Sequence, residues 1–516
     1  MVQWLKNAVF YEIYPQSFCD SNGDGIGDFN GISEKLDYIK DLGFTAIWMN
    51  PCFQSPFYDA GYDVEDYYTA APRYGTNEDL KRLFEKVHEN GMHLILDLVP
   101  GHTSIKHPWF IESMKAQKNE FSDRYIWTNH IGADCSGYPG IAGSLRGISA
   151  RNGSCAVNYY SSQPALNYGF AKITEPWQLP VDSEAAVATR GELVKIMKFW
   201  LRMGCDGFRV DMAGSLIKAD EDQKETVKLW QTVLGEVKKD FPDAAFVSEW
   251  GEPDKSLLGG FDMDFLLHFG PSHYMDLFRG EHPYFSQKGE GSLKEFFSYY
   301  MGCLEKTQGK GLICLPSGNH DMVRMAETLC DTERKLAFAF MMTMPGVPFV
   351  YYGDEIGMRY LGDLESVEGG YGRTGSRTPM QWSADEVNCG FSAAAADKLY
   401  LALDPSDDRP TAAAQLSDDD SLLNEVKRLI SIRKQHAALQ ESGAFELISK
   451  DTDYPLVYCR QSDDEKILVA INPTGKKERV SLNAAGEVFY SIGNAAKMSG
   501  TDLLIPPCSA TFMKLF

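Results

Sequence analysis

Several features that would place the chain in a particular class are absent from its sequence. No stretch among the 516 residues approaches about 18 consecutive apolar side chains, so no transmembrane helix is predicted. The first residues lack a basic region, a long apolar core and a small-residue cleavage site, so no signal peptide is predicted either. Low-complexity segments are missing as well. We therefore expect a folded cytoplasmic protein that does not insert into a membrane.

Basic residues are fewer than acidic residues in the sequence. The chain has 50 lysine and arginine residues against 72 aspartate and glutamate residues, which gives a net charge of −22 at pH 7. A surface this acidic repels phosphate backbones and anionic lipid headgroups, so neither nucleic acid nor a membrane is expected as a partner. The excess of acid says little about a neutral sugar, and no protein partner is evident from the sequence.

Paired cysteines are also missing. The eleven cysteines include no Cys-x-x-Cys pair and no spacing that is typical of metal ligands. Their odd number leaves at least one thiol unpaired in any disulfide scheme. Free thiols in a reducing compartment are the expected state, which agrees with a cytoplasmic location.

Short apolar runs alternate with amphipathic stretches through most of the chain. Helical patterns with apolar residues at i, i+3 and i+4 occupy Glu78–Glu89 and Glu192–Arg202. This alternation of strand and helix predicts parallel β/α units, arranged either as a barrel or as a doubly wound sheet. The predicted strands are Thr45–Met49, Leu94–Val99, Gly207–Val210, Ala245–Ser248, Leu312–Pro316 and Pro348–Tyr352.

Two segments interrupt this rhythm. Residues 103–172 are rich in glycine, serine, asparagine and aromatic side chains and show little periodicity, which indicates a small domain inserted after the third strand. From Phe445 onward, alternating strands and turns predict an all-β domain. The predicted division is a β/α domain formed by residues 1–102 and 173–440, the inserted domain at 103–172, and a C-terminal β-sandwich at 441–516.

Acidic residues stand where predicted strands end. Asp97, Asp211 and Glu249 close apolar strands, and Asp321 follows another one shortly afterwards. A buried acid is costly without partners, and parallel β/α barrels carry their functional residues at the carboxyl ends of strands. Any one of these acids could instead cap a helix or pair with a nearby arginine. Three converging carboxyl groups fit glycoside hydrolysis, which needs one to protonate the leaving oxygen and another to attack or to activate water.

Six short segments occur in a fixed order along the chain. They are Asp97–His102 (DLVPGH), Gln163–Asn167 (QPALN), Gly207–Asp211 (GFRVD), Val247–Trp250 (VSEW), Asn319–Asp321 (NHD) and Arg377–Trp382 (RTPMQW). Together they resemble glycoside hydrolase family 13, the α-amylase superfamily, and in particular its oligosaccharide-acting α-glucosidase branch. The resemblance covers essentially the full length of the chain. It implies an α/β fold, a (β/α)₈ TIM barrel with an inserted domain after strand 3 and a C-terminal all-β sandwich.

The resemblance implies a role for each of three acids. Asp211 is similar to the family's nucleophile, which forms a covalent glucosyl ester in a retaining mechanism. Glu249 is similar to the acid/base, which protonates the glycosidic oxygen and then activates water or an acceptor sugar. Asp321 is similar to the carboxylate that binds two sugar hydroxyls. Arg209 precedes Asp211 on the same face of the strand, where its charge favours an ionised nucleophile.

Five further residues resemble the family's sugar-binding positions. His102 and His320 match its two hydrogen-bonding histidines, and Tyr62 matches its stacking platform. Asp63 matches a contact to the far side of the first glucose, and Arg377 matches the arginine that pairs with that aspartate. The alternatives are core packing for Tyr62 and a surface salt bridge for Arg377.

A candidate calcium loop follows the first predicted strand. Asp20, Asn22, Asp24 and Asp28 offer side-chain oxygens and Ile26 offers a carbonyl, as in the first nine positions of a calcium loop. The bidentate glutamate that usually completes such a loop is replaced by glycine, so a metal-free turn is the alternative. We expect a structural Ca²⁺ here, because neighbouring carboxylates repel one another without a cation. Many members of the family carry a similar loop at this place.

The expected substrate is a short maltooligosaccharide or another small α-glucoside. Gly214 and Ser215 replace the Lys-His pair at the long-chain subsite of the family's classical amylases. Met212, directly after the nucleophile, matches neither the valine that goes with α-1,6 linkages nor the residues that go with α-1,4 linkages. A transglucosidase, or an isomerase acting on sucrose or trehalose, would use the same residues and stays open. The family's non-catalytic transporter ectodomains lack the intact acid set, so such a role is not expected.

Overall fold

The computed structural model describes residues 2–516 apart from 268, 308, 442, 451 and 483. Within these residues the α-helices are α1 (Phe29–Glu34), α2 (Leu36–Leu42), α3 (Asn77–Glu89), α4 (Pro108–Ser113), α5 (Glu184–Met203), α6 (Lys224–Asp240), α7 (Pro253–Leu258), α8 (Lys294–Thr307), α9 (Asp331–Thr343), α10 (Ala412–Leu416) and α11 (Leu422–Gln435). The strands are β1 (Phe10–Ile13), β2 (Ala46–Met49), β3 (Phe53–Gln54), β4 (Asp66–Ala70), β5 (His93–Leu98), β6 (Gly143–Leu145), β7 (Cys155–Val157), β8 (Gly207–Val210), β9 (Ala245–Ser248), β10 (Met263–Phe265), β11 (Leu312–Pro316), β12 (Val347–Tyr351), β13 (Ala444–Leu447), β14 (Leu456–Gln461), β15 (Lys466–Asn472), β16 (Glu478–Ser481), β17 (Gly486–Ile492), β18 (Lys497–Ser499), β19 (Asp502–Ile505) and β20 (Ser509–Leu515).

Parallel strands close into a barrel in the spatial order β1-β12-β11-β10-β9-β8-β5-β2. Most of these strands are buried along their whole length, because helices cover the outside and side chains fill the inside. The interior is packed by an apolar cluster that includes Phe10, Trp48, Ile95, Val247 and Phe349. The predicted barrel is thereby confirmed, and the doubly wound alternative is wrong.

The helices around the barrel begin and end at capping residues. Thr76 forms a capping box with Asp79 at the start of α3, and the Ser183 hydroxyl caps α5. Gly204 ends α5 with a φ of +119°, which a residue with a side chain adopts only with strain. Both predicted amphipathic stretches lie within these helices. α5 begins earlier than its apolar stripe indicates, because the alanine-rich residues at its start favour helix without contributing a stripe.

The chain between β5 and α5 leaves the barrel and forms a small separate unit. β6 and β7 pair in antiparallel orientation, and isolated bridges join neighbouring turns. Ile126, Ala156 and Phe170 belong to a core of its own. This insertion follows the third barrel strand, as predicted. Its turns contribute Pro139 and Tyr159 to the cavity described below.

The C-terminal region consists of two packed antiparallel sheets. The larger has the order β13-β14-β15-β20-β17, and the smaller has the order β16-β19-β18. Apolar side chains from both sheets, including Leu468, Leu503, Ile505 and Met513, form the layer between them. The predicted all-β domain is confirmed. Every cysteine is free, and none of the described helices has both the length and the hydrophobicity needed to cross a bilayer.

Candidate active site

The three predicted acids meet at one end of the barrel. Asp211 directly follows β8, Glu249 directly follows β9, and Asp321 lies in the loop after β11. Because the carboxyl ends of parallel barrel strands face the same way, side chains in these positions converge. All three line one cavity of about 380 Å³, whose walls also include Asp59, Tyr62, His102, Trp250 and Arg373.

Arg209 holds the acids on the nucleophile side of this cavity. Its Nη1 atom lies 2.9 Å from Asp97 Oδ1 and 2.8 Å from Asp211 Oδ1, and its Nη2 atom lies 2.9 Å from Glu249 Oε2. The arginine belongs to β8 and is buried, so the strand that leads to Asp211 also fixes the guanidinium. Its planar fork of donors suits simultaneous contacts with several carboxylates. Three carboxyl groups therefore share this one cation.

The protonation of Asp211 follows from this arrangement. Burial and repulsion by Glu249 raise the pKa of the Asp211 carboxyl well above its ordinary value, while the charge of Arg209 acts in the opposite direction. Both carboxyl groups contact the same guanidinium, so a charge on Glu249 acts directly on Asp211. Positive charge that develops on a bound sugar favours an ionised Asp211. The site can therefore present one protonated and one ionised carboxyl, as glycoside cleavage requires.

Asp321 lies in the opposite electrostatic setting. Its Oδ1 atom accepts hydrogen bonds from Arg373 Nη1 at 2.8 Å and from Arg377 Nη2 at 2.9 Å, and its Oδ2 atom lies 3.3 Å from His320 Nε2. Burial alone would raise the pKa of this carboxyl, but His320 and the arginines hold it well below its ordinary value. Asp321 is consequently a permanent carboxylate that can accept hydrogen bonds from sugar hydroxyls.

The predicted ring residues form a fixed wall beside the acids. Tyr62 stacks on His320, with ring centres 5.3 Å apart and planes inclined by 18°. The Tyr62 hydroxyl donates to Asp97 Oδ2 at 3.0 Å and lies 2.8 Å from His320 Nε2. His102 is held by Asn158 Oδ1, 2.8 Å from its Nδ1, and by the Tyr62 carbonyl, 3.0 Å from its Nε2. Tyr62 and His102 line the cavity directly.

The structure does not pair Asp63 with Arg377, contrary to the prediction. Asp63 is fully buried, and its carboxylate accepts hydrogen bonds from the Ser55 hydroxyl and from two backbone N–H groups of the turn at 58–59. It therefore shapes that turn instead of facing the cavity. Arg377 donates to Asp321 and to the neighbouring backbone carbonyl, so it supports the site from behind.

The ion pair that lines the cavity joins Asp59 and Arg373. Arg373 Nη2 lies 3.2 Å from Asp59 Oδ1, and the same nitrogen donates to the Tyr160 hydroxyl at 3.0 Å and to the Gly369 carbonyl at 2.8 Å. Gln163 Nε2 donates to the other Asp59 oxygen at 2.7 Å. Residues 59–63 (DAGYD) contain two aspartates, and residues 373–377 (RTGSR) contain two arginines. The prediction named the second residue of each pair, Asp63 and Arg377. No signal in the sequence separates them.

Trp250 is a cavity residue whose role the sequence did not indicate. Its indole lies against Gly214, where an added Cβ would stand 2.5 Å from the Trp250 ring. The indole N–H donates to Gln223 Oε1 at 2.8 Å, which fixes the ring plane. Leu267 and Phe269 continue this apolar wall. Gly214 stands where the family's classical amylases carry part of a long-chain subsite. Because it has no side chain, it also leaves room for Trp250.

The Asp20–Asp28 loop is folded by its own hydrogen bonds. Asp20 accepts from the backbone N–H groups of Asn22 and Gly25, and Asp28 caps α1 through the N–H of Gly31. Oxygen donors of this kind suit Ca²⁺. Asp20, Asp24 and Asp28 are not among the described side chains that bring three ligand atoms within 4.8 Å of one another. Calcium binding would therefore require side chains of this loop to move closer together. Calcium at this loop stays a prediction.

Among the described residues, His88, His93 and Asp206 do bring three ligand atoms this close. Asp206 Oδ2 lies 2.8 Å from His88 Nε2, and its Oδ1 lies 3.1 Å from His93 Nδ1. Asp206 also accepts the backbone N–H of Leu94 at 2.8 Å. These hydrogen bonds account for the grouping, because they tie α3 and β5 to the turn before β8. They lie at the end of the barrel opposite the acids.

Comparisons with known proteins agree with this geometry. The family model described as "Alpha amylase, catalytic domain" matches residues 12–442. The oligo-1,6-glucosidase of Parageobacillus thermoglucosidasius is 31% identical over 532 residues, which cover 91% of this chain and 90% of that protein. The trehalose synthase/amylase TreS of Mycolicibacterium smegmatis is 30% identical over 526 residues, which cover 89% of this chain and 80% of that protein.

Solved structures show the same similarity. The trehalulose synthase MutB from Pseudomonas mesoacidophila has a TM-score of 0.84 at 26% identity, with 100% of both chains covered. The trehalose-6-phosphate hydrolase of Bacillus licheniformis has a TM-score of 0.83 at 26% identity, again with 100% of both chains covered. The match to the family model spans the barrel, the insertion and all three converging acids. The chain therefore belongs to glycoside hydrolase family 13, the α-amylase family, and is a retaining glycosidase.

Proposed function

We propose that the enzyme is an α-glucosidase that releases the terminal glucose unit from short α-linked oligosaccharides. The observation that carries this proposal is the network in which Arg373 joins Asp59 to Asp321 on the cavity wall. An ion pair placed behind the reacting sugar admits a chain end but leaves no passage for the rest of a polymer. The oligo-1,6-glucosidases among the relatives support the same class of substrate.

The first chemical step takes place on the side of the cavity that holds Asp211 and Glu249. Glu249 donates its proton to the glycosidic oxygen while the bond from that oxygen to the anomeric carbon breaks. The Asp211 carboxylate attacks the anomeric carbon and forms an ester, and the leaving sugar departs as an alcohol. Arg209 remains in contact with both carboxyl groups, so it compensates negative charge on whichever of them is ionised.

The second step reverses the roles. Glu249, now a carboxylate, takes a proton from water, and the water oxygen attacks the anomeric carbon. The ester bond breaks, Asp211 returns as a carboxylate, and glucose leaves with the configuration of the original bond. Asp321 accepts hydrogen bonds from the sugar in both steps. Its low pKa ensures that it does not compete for the catalytic proton.

A product analysis tests the proposal. The enzyme is incubated with maltose, isomaltose, sucrose, trehalose, maltotriose and soluble starch, and early products are followed by chromatography and by proton magnetic resonance. We expect rapid release of α-glucose from at least one short substrate and slow release from starch. Cleavage of starch into intermediate fragments before glucose appears would exclude an enzyme that acts only at chain ends. A first product with β configuration would exclude retention.

A second candidate function is transfer of the glucosyl group to a sugar instead of water. The apolar wall formed by Trp250, Leu267 and Phe269 favours this candidate, because such side chains contact the faces of sugar rings and exclude water. MutB, a trehalulose synthase, has the same fold over its full length. The same product analysis distinguishes the two candidates, since transfer yields new disaccharides while free glucose stays below the amount of substrate consumed.

We further propose a structural Ca²⁺ at the Asp20–Asp28 loop and a cytoplasmic location. Asp20, Asn22, Asp24, Asp28 and the carbonyl of Ile26 would hold the ion, which would tie the loop to the barrel and take no part in the reaction. The eleven free cysteines support a reducing compartment. We expect no nucleic acid, membrane or protein partner, because the cleavage of small α-glucosides requires none.

A further inference from the structure

A buried glutamate lies behind the site, on the side of His320 away from Asp321. Glu12 belongs to β1, and its side chain is completely buried. Its Oε1 atom lies 3.0 Å from His320 Nδ1 and also accepts from Asn50 Nδ2 at 3.2 Å, and the same amide nitrogen lies 3.1 Å from Nδ1. Within the part of the chain that the structure describes, no group donates a hydrogen bond to the other oxygen, Oε2. A buried carboxylate is costly unless a positive charge faces it, and the His320 ring is the group in contact that can carry one.

The hydrogen bonds on the opposite side of the His320 ring decide whether Nε2 carries a hydrogen. The Tyr62 hydroxyl has one hydrogen, which it donates to Asp97 Oδ2. Its oxygen, 2.8 Å from His320 Nε2, is therefore an acceptor, as is Asp321 Oδ2 at 3.3 Å. Nε2 must consequently carry a hydrogen. If Nδ1 carries one as well, the ring is an imidazolium between two carboxylates.

We propose that Glu12 is a positioning residue that keeps His320 protonated on both ring nitrogens and so holds Asp321 ready for the sugar. Glu12 touches no part of the cavity and acts through the histidine. The inference deepens the proposed α-glucosidase function and rests on it for its catalytic consequence. The proton arrangement itself is a property of the free enzyme.

The surroundings of the ring support this assignment. Burial lowers the pKa of His320, but Asp321 and Glu12 outweigh it and raise that pKa to about 9. Tyr14 and Tyr62 stack on the ring, and the Arg377 side chain donates to the His320 backbone carbonyl without pairing with the imidazole. The titratable and charged groups that face the histidine are Glu12, Tyr14, Tyr62, Asp97, Asp321 and Arg377.

Glu12→Gln is the variant that tests the proposal. Glutamine has the same shape but turns an amide toward Nδ1, so the ring loses its second counter-charge and can accept a hydrogen bond in the neutral form. We expect the pKa of His320 to fall by about one unit or more. Enzyme labelled with ¹⁵N in histidine would be titrated by NMR, with His320→Gln used to assign the signal. No substrate is needed for this measurement.

The kinetic readout is the ratio of kcat/KM for the variant to that of the parent enzyme as a function of pH. Groups whose pKa is the same in both enzymes affect both values of kcat/KM equally and so cancel in the ratio. The His320 imidazolium, in contrast, persists to higher pH in the parent enzyme. The ratio should therefore decline from about pH 7 upward and level off about tenfold lower above about pH 10 if the pKa shift is one unit. Glu12→Asp, which keeps the charge, should show a smaller decline.

Glu355→Gln is the matched control. Glu355 is also completely buried and accepts hydrogen bonds from the hydroxyls of Tyr11 and Tyr38, with no contact to His320. Its substitution should lower thermal stability and leave both the His320 titration and the pH dependence of the ratio unchanged. An unchanged His320 titration in Glu12→Gln would overturn the proposal, as would a flat ratio. A shifted titration in an enzyme that cleaves no α-glucoside would instead contradict the proposed function alone.

Discussion

The two sides of the cavity use the same kinds of residue with opposite charge balance. On one side a single arginine, Arg209, faces three carboxyl groups. On the other a single carboxylate, Asp321, faces two arginines and an imidazole. Both acids lose most of their contact with solvent, yet the pKa of Asp211 lies above its ordinary value and that of Asp321 below it. Protonation in this site is therefore set by the neighbours of each acid and not by burial alone.

The largest loss of activity is expected when the nucleophile or the acid/base is substituted on the side of the cavity that holds Arg209. Asp211→Asn and Glu249→Gln should each lower kcat/KM by roughly 10³- to 10⁵-fold, because each removes a group that is indispensable to one step. Steady-state kinetics on the best substrate from the product panel measures the loss. Thermal unfolding should stay close to that of the parent. An Asp211→Asn enzyme with substantial activity would rule out the covalent ester.

Removal of Arg209 tests how the acid-rich side affects stability. Arg209→Leu leaves the buried Asp97 and Asp211 and the partly buried Glu249 without their cation, and breaking buried contacts of this kind costs about 3–5 kcal/mol. Acids whose pKa is raised in the folded state bind protons more readily there than in the unfolded chain, so their penalty is relieved as pH falls. The stability deficit of Arg209→Leu should therefore shrink between pH 8 and pH 5, as measured by denaturant unfolding.

The cation-rich side should respond with the opposite pH dependence. Asp321→Asn leaves Arg373, Arg377 and His320 without a carboxylate. The deficit should be full while His320 is charged and should shrink as pH rises toward its pKa of about 9. Deficits of Arg209→Leu and Asp321→Asn that change in the same direction with pH would contradict the charge balance inferred from the structure.

The ion pair on the cavity wall should control which part of a substrate can enter. Arg373→Ala removes the link between Asp59 and Asp321 and should lower kcat/KM for the best short substrate by about 10²-fold, a loss typical of a positioning contact. Starch should become a comparatively better substrate. Arg73→Ala is the matched control, because Arg73 forms a similar pair with Glu368 outside the cavity lining. If Arg373→Ala kept the parent's preference for short substrates, chain-end specificity would not depend on the ion pair between Asp59 and Arg373.

Much of the fold could be predicted because its strands are short, apolar and regularly spaced. The predicted strands at 45–49, 94–99 and 207–210 coincide with β2, β5 and β8 to within a residue or two. β10 was missed because it has three residues and lies among glycine and acidic positions that resemble a loop. Its place is fixed by pairing with both β9 and β11, and such pairing leaves no local pattern in the sequence.

The candidate site likewise contains residues that could be predicted from the sequence and residues that could not. Asp211 and Glu249 could be predicted because they end strands, and strand ends in a barrel converge whatever the loops do. Asp59 and Arg373 could not be distinguished from their later neighbours, because loop geometry decides which side chain faces the cavity. Glu12 carries no signal at all, since an acid in an apolar strand becomes informative only when its partner across the barrel is known.

The smallest expected effect concerns the Asp20–Asp28 loop, which lies outside both sides of the cavity. If it binds calcium only in the folded state, calcium at ten times its Kd stabilises the enzyme by about 1.4 kcal/mol. A chelator should therefore lower the melting temperature by a few degrees and leave turnover at room temperature unchanged. Asp24→Ala should abolish that response, because Asp24 is one of the predicted donors to the ion. Asp134→Ala is the control, since Asp134 is an exposed acid that bonds only within its own turn. An unchanged melting temperature on chelation would leave a metal-free turn that its backbone hydrogen bonds already explain, and loss of turnover with the fold intact would place the ion in the chemistry.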